Sequence, residues 1–219
     1  MMKRLLSLSM ALASFSAAAS LTPTFDTFGA LPQATFNGSG IPNSSVAITT
    51  LTSAAGTVNL GLAAHSRFGQ IPAVTNDGAG RYFATGGIDQ TSAASIAGQY
   101  AKWNFDFYVG GDANALAQYT FRLLMDVDAS TNESFVGFPA AAGAGQDSWN
   151  LGFDSFESAF AYSFNPATAG EYSFRLQALN VTGGIAGETS IVVQVPEPAS
   201  LALVGLALAA AGLARRRVA

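Results

Sequence analysis

In Trp103-Asn104-Phe105-Asp106-Phe107-Tyr108-Val109 every odd position is apolar, and the positions between are polar or amphipathic. The same alternation returns four times. Tyr119, Phe121, Leu123, Met125 and Val127 interleave with Thr120, Arg122 and Asp126; Tyr172, Phe174 and Leu176 with Ser173, Arg175 and Gln177. Ile191 and Val193 interleave with Ser190 and Gln194, and Val58, Leu60 and Leu62 with Asn59 and Gly61. Successive side chains of a strand point to opposite faces, so a period of two predicts strands with one buried face. No stretch between the two ends sustains a period of 3.6. Val46 to Leu51, Arg81 to Thr85, Trp149 to Phe153 and Ser158 to Phe164 are further strand candidates.

Turn chemistry separates these runs at Asn76-Asp77-Gly78, Gly86-Gly87, Gly110-Gly111-Asp112, Asn165-Pro166 and Gly183-Gly184. Many short strands at such spacing predict an all-β fold, an antiparallel β-sandwich of jelly-roll or immunoglobulin-like type over residues 20–194. Ala140 to Gly145 reads as a mobile loop. From Pro166 to Val195 the order turn, strand, Gly-Gly turn, strand predicts a closing hairpin. Tyr172, just after a turn, resembles the tyrosine corner of Greek-key sandwiches; a plain core aromatic is the other reading.

Both ends lie outside this pattern. Lys3 and Arg4, then the apolar run Leu5 to Phe15, then Ala17-Ala18-Ala19 predict a signal peptide over residues 1–19. At the other end Val195-Pro196-Glu197-Pro198 breaks the last strand, because proline has no N–H for a ladder. Residues 199–214 carry no charge, and Arg215-Arg216-Arg217 follow. As a helix that run is about 24 Å long, slightly short of a hydrocarbon core of about 30 Å, a gap that bilayer thinning and arginine stems can bridge. The arginines belong on the cytoplasmic side. The topology predicted is a C-terminal transmembrane helix in the inner membrane with the body outside the cytoplasm.

Pro-Glu-Pro, a short Ala/Leu/Gly helix and a terminal arginine cluster, in that order over residues 195–219, resemble the PEP-CTERM sorting signal. The resemblance implies a Gram-negative cell that makes exopolysaccharide. It implies exosortase, a membrane-embedded transpeptidase-like enzyme, as the partner that recognises the tail and cuts near the motif. Pro196, Glu197 and Pro198 match the motif and are substrate residues; Arg215, Arg216 and Arg217 match the basic stop. A simple membrane anchor would explain the helix and the arginines but not the Pro-Glu-Pro. The resemblance implies nothing about the chemistry of the body.

The body is acidic. Without Lys3, Arg4 and Arg215–Arg217 five cations remain, and without Glu197 thirteen carboxylates remain, a formal charge of −8. Such a charge favours solubility and disfavours anionic partners, nucleic acid included. The absence of cysteine excludes disulfides, thiol nucleophiles and thiolate metal sites. His65, the one histidine, reads as a loop or strand-end residue, since no Gly-x-Ser-x-Gly elbow accompanies it. Asp126, Asp128 and Asn132 place oxygens at calcium-loop spacing, but Thr131 and Gly137 stand where an EF-hand needs Gly and Glu. A polar hairpin end is the plainer account, and no other cofactor is expected. Asp106, Asp126, Asp128, Asp154 and Glu157 could supply a glycosidase pair only if two of them meet in space. Trp103 continues an apolar strand face. Trp149, beside the Gly-rich loop, is the candidate for stacking on a sugar.

The sequence therefore predicts an exported, non-enzymatic protein of the cell surface or extracellular matrix, associated with exopolysaccharide and biofilm. A carbohydrate-binding module is the alternative, and a glycoside hydrolase the third reading.

Overall fold

Each of the five alternating segments forms a strand. The structure is a computed structural model, which describes residues 20–197. The expected signal peptide, Pro198, the apolar run and the arginine cluster lie outside those residues. The strands are β1 Thr27–Gly29, β2 Val46–Ser53, β3 Gly56–Ser66, β4 Thr75–Asn76, β5 Arg81–Phe83 and β6 Trp103–Gly111. They continue with β7 Thr120–Asp126, β8 Phe135–Gly137, β9 Ala141–Ala142, β10 Gly145–Trp149, β11 Gly170–Leu179 and β12 Ile185–Val195. Three short helices intervene: α1 Ala93–Ala97, α2 Ala113–Leu116 and α3 Asp154–Phe160.

The strands form two sheets. One runs β1-β2-β3-β6-β10; the other runs β4-β5-β12-β11-β7-β8, with β9 also on β7. The fold is an all-β sandwich. One pairing departs from the antiparallel expectation: β5 lies parallel to β12, Val192 opposite Arg81. Parallel neighbours need a long connection, and residues 84–184 lie between these two strands.

The inner faces follow the alternation. Val58, Leu60, Leu62, Trp103 and Phe105 of the first sheet meet Tyr172, Phe174, Leu176, Ile191 and Val193 of the second, all essentially buried. Phe105 and Phe174 stack at 4.2 Å between ring centroids, bridging the sheets. Thr49 Oγ1 donates to Glu188 O at 2.8 Å and Thr189 Oγ1 to Ala47 O at 3.3 Å, so polar side chains also cross the interlayer gap. The closing hairpin is present in full, pairing Gly170 with Val195 through Leu179 with Ile185. Tyr172 is both things the sequence allowed. It is 2% exposed, and its hydroxyl donates to Thr168 O, four residues upstream, at 3.2 Å.

Three expectations are corrected. Ser158 to Phe164 is not a strand: α3 occupies Asp154–Phe160. Phe153, Phe156 and Phe160 share one side of that turn of chain, and Phe138 packs on both Phe156 and Phe160. Only Trp149 of the segment Trp149 to Phe153 is in a strand. Nor is Ala140 to Gly145 a plain loop. Ala141 and Ala142 pair with Phe121 and Thr120, and Gly145 opens β10 opposite Val109.

A third layer covers the outer face of the first sheet. There the segment between β1 and β2 lays Leu31, Ala34 and Phe36, all at most 3% exposed, over the strands. Gln146 of β10 clips it down, its Oε1 accepting from both Thr35 N and Phe36 N at 2.8 Å. Gly61 of β3 has no room for a side chain under this layer: a Cβ there would sit 2.7 Å from Leu31 Cδ2.

Candidate functional site

Register puts His65 opposite Asn104 and Ala63 opposite Asp106 on β3 and β6, and Ser148 opposite Asp106 on β10. These polar side chains share the outer face of the first sheet, where the covering segment ends. A cleft of about 410 Å³ opens there between that segment and the turn after β3. His65, Asn104, Asp147 and Ser148 line it, with Asn37 and Ser39 opposite. A second cleft of about 320 Å³ adjoins it and shares Gly40, His65, Ser66 and Gly69. His65 stands where the two meet.

His65 Nδ1 lies 2.8 Å from Asp106 Oδ2. Asp106 is fully buried, and its Oδ1 has no hydrogen-bond partner among the described residues. Burial pushes the Asp106 carboxyl above the usual range, while the hydrogen bond and charge of His65 pull it down. With the carboxylate accepting, Nδ1 carries the proton and Nε2 is left as an acceptor. Neighbouring amides fix the floor. Asn150, fully buried, donates through Nδ2 to Ala101 O, Trp103 O and Asn104 Oδ1, and Asn104 Nδ2 donates to Ser148 Oγ at 3.0 Å.

The far wall is anchored just as firmly. Asp89 is fully buried and accepts from Arg67 Nε at 3.2 Å, Gln70 Nε2 at 2.9 Å and Thr91 Oγ1 at 2.6 Å. Burial alone would raise the Asp89 pKa, but hydrogen bonds from Thr91 and Ser95 and the Arg67 charge hold it below the ordinary carboxylate value. Arg67 also lies 4.4 Å over the Phe68 ring and 5.1 Å over Tyr100. Of the five non-glycine residues with positive φ among the described residues, three line this cleft: Phe36 at 48°, Asn37 at 55° and Phe68 at 47°. Backbone strain of this kind persists only where surrounding contacts hold it, and it clusters at binding and catalytic sites.

The sequence did not single out the His65–Asp106 pair. Its signal was faint: His65 continues the odd-numbered outer face of β3, and Asp106 lies on the polar face of β6. That those faces adjoin depends on a strand pairing no local pattern reveals.

The predicted site residues lie elsewhere. Trp149 is on the inner side, opposite Phe105, and is half-buried. Phe107, Phe138 and Phe156 pack round it at 4.7–5.3 Å. It borders an apolar pocket of about 180 Å³ under residues Ala141 to Gly145. Trp103 is a core residue, 1% exposed. Asp126 closes the loop after β7, its Oδ1 accepting from Asp128 N and Ser134 N, both at 3.1 Å. Burial pushes its carboxyl up to about 6. Asp128 Oδ1 caps Ser130 N, and Asn132 N donates to Ser130 Oγ. These groups therefore satisfy the loop's own backbone. Asp106 and Asp126 are on different sheets, and Glu157 on α3 accepts from Phe164 N at 2.7 Å.

At the end of β12 the chain leaves the core abruptly. Val195 is 2% exposed, and Pro196 and Glu197 are exposed, in a groove of about 320 Å³ with Ala84 to Gly87 and Ala167. Residues 194–217 match the family model of the PEP-CTERM protein-sorting motif. The chain carries a PEP-CTERM sorting signal. The PEP-CTERM motif indicates an exported protein that exosortase processes. The PEP-CTERM match begins inside β12, so Gln194 and Val195 serve both the fold and the motif. No curated protein and no solved structure matches the chain. Among the described residues no helix is long and apolar enough to cross a membrane.

Proposed function

We propose that this chain is a non-enzymatic protein of the cell surface or extracellular matrix, anchored in the inner membrane before processing and associated with exopolysaccharide afterwards. The observation that carries the reading is the position of the sorting motif. The core closes at Val195, and the exposed Pro196-Glu197 follows directly. Every buried residue among those described precedes the motif's Pro196. The formal charge of −8 on the body supports a well-solvated module with a neutral rather than an anionic polymer as partner. The parallel β5–β12 pair and the Tyr172 corner favour the immunoglobulin-like description of the sandwich over the jelly roll.

The test replaces Pro196, Glu197 and Pro198 together by alanine and follows the protein in cell fractions. Retention of the variant in the inner membrane, with wild type at the surface or in the medium, is expected. Identical distributions would refute exosortase-dependent sorting. Saccharide hydrolysis by the purified protein, abolished by Asp106→Asn, would replace the non-enzymatic reading with the hydrolase one.

A further inference from the structure

We infer that the trough around His65, on the outer face of the first sheet, binds a chain of uncharged sugar units. Its shape fits a chain-like ligand. Two clefts of about 410 and about 320 Å³ adjoin at Gly40, His65, Ser66 and Gly69, giving a run longer than either one. Each alone is already within the size of a small-molecule site, about 300–1,000 Å³.

Its chemistry fits hydroxyls. Amides, hydroxyls, an imidazole and one carboxylate line the walls, so the trough carries both donors and acceptors. A sugar hydroxyl both donates and accepts and can satisfy either kind. Phe68, 67% exposed at the rim, adds apolar surface of the sort that packs on the C–H face of a sugar ring.

Charge excludes the obvious competitor. Among the described residues Arg67 is the only cation lining either cleft, and its guanidinium is already held by Asp89 and the faces of Phe68 and Tyr100. Asp147 stays in the trough, so an anionic ligand meets repulsion. Among the described residues no three histidine or carboxylate side chains are placed to hold a metal.

The walls are set in advance. Asp106 fixes the imidazole, Gln146 clips the covering segment and Asp89 ties down the turn after β3. A site ordered before its ligand arrives loses less entropy on binding. The inference rests on the surface-or-matrix reading only for its choice of probe.

The chain has a single histidine, so its imidazole signals need no assignment. The full chain in detergent, labelled with ¹⁵N-histidine, is titrated with neutral oligosaccharides released from the exopolysaccharide of the producing cells. A saturable shift of the imidazole resonances is expected. Ser39→Trp, at an exposed position with no side-chain hydrogen bond of its own, should fill the mouth and weaken binding about tenfold or more. Trp149→Phe should leave it unchanged. No saturable shift, equal affinity in Ser39→Trp, or a loss confined to Trp149→Phe would each overturn the assignment. Binding is read on purified protein, so its failure is distinct from a failure of sorting in cells.

Discussion

Asp106 Oδ2 lies 2.8 Å from His65 Nδ1, and the carboxyl group that makes this contact is wholly sealed from solvent. The imidazole it holds is 13% exposed and faces the trough. A buried acid thus sets the proton position of a surface-reaching base.

Asp106→Ala should release that tautomer and leave the imidazole N–H without its acceptor. Loss of a buried partner costs about 1–3 kcal/mol. Asp106→Asn keeps an acceptor and removes the buried charge, so it should stay close to wild type in stability. ¹⁵N shifts of the single histidine, with denaturant melts, check both. A mixed tautomer in the wild type at neutral pH would contradict the assignment.

Asp126 carries a signed pH prediction. Its folded-state value is about 6, raised by burial from an ordinary 3.8. The folded chain therefore holds this proton more tightly than the unfolded chain does. The stabilisation is complete below the ordinary value and is lost as pH rises from about 4 through about 6. Asp126→Asn retains an oxygen for Asp128 N and Ser134 N and removes the slope, so it should gain on wild type as pH rises across that window. The same melts with and without calcium test the metal reading: a shift on adding calcium, lost in Asp126→Asn, would establish it.

Phe174→Ala should cost about 3–5 kcal/mol, because it empties the stack against Phe105 that joins the two sheets. Val181, 92% exposed at the hairpin tip, should tolerate alanine within about 0.5 kcal/mol. Equal melting temperatures for the two variants would argue against a core centred on that stack.

Gly111→Ala should destabilise by more than about 1 kcal/mol, since its φ is +151° and a Cβ would stand 2.1 Å from Thr57 O. Gly145→Ala, where a Cβ meets nothing within 4 Å, is the control.

What the sequence disclosed and what it concealed divide along physical lines. β6, β7 and the β11–β12 hairpin were readable because one face of each is buried and the other is not, which writes a period of two into the chain. α3 was not, because seven residues hold too few turns for Phe153, Phe156 and Phe160 to stand out from strand-like aromatic spacing. Asp106 occupies a polar position in β6 and reads as solvent-facing. It is nonetheless fully buried, with Ala63 and Ser148 beside it on the neighbouring strands and His65 bonded to it, contacts that depend on strand pairing between distant parts of the chain. Trp149 sits next to glycines and reads as exposed, whereas Phe138 and Phe156, brought in from either side, enclose it. The sorting motif needed no fold at all: Pro-Glu-Pro, the uncharged run and the arginines are local and ordered.

The mature C-terminus is the most direct measurement, by peptide mapping of the protein from membrane, surface and medium fractions. Loss of the peptide carrying residues 199–219 from protein outside the membrane, with residues 20–195 intact, is the result expected of a sorted sandwich. A complete tail, found only in membranes, would contradict it and leave a simple anchor.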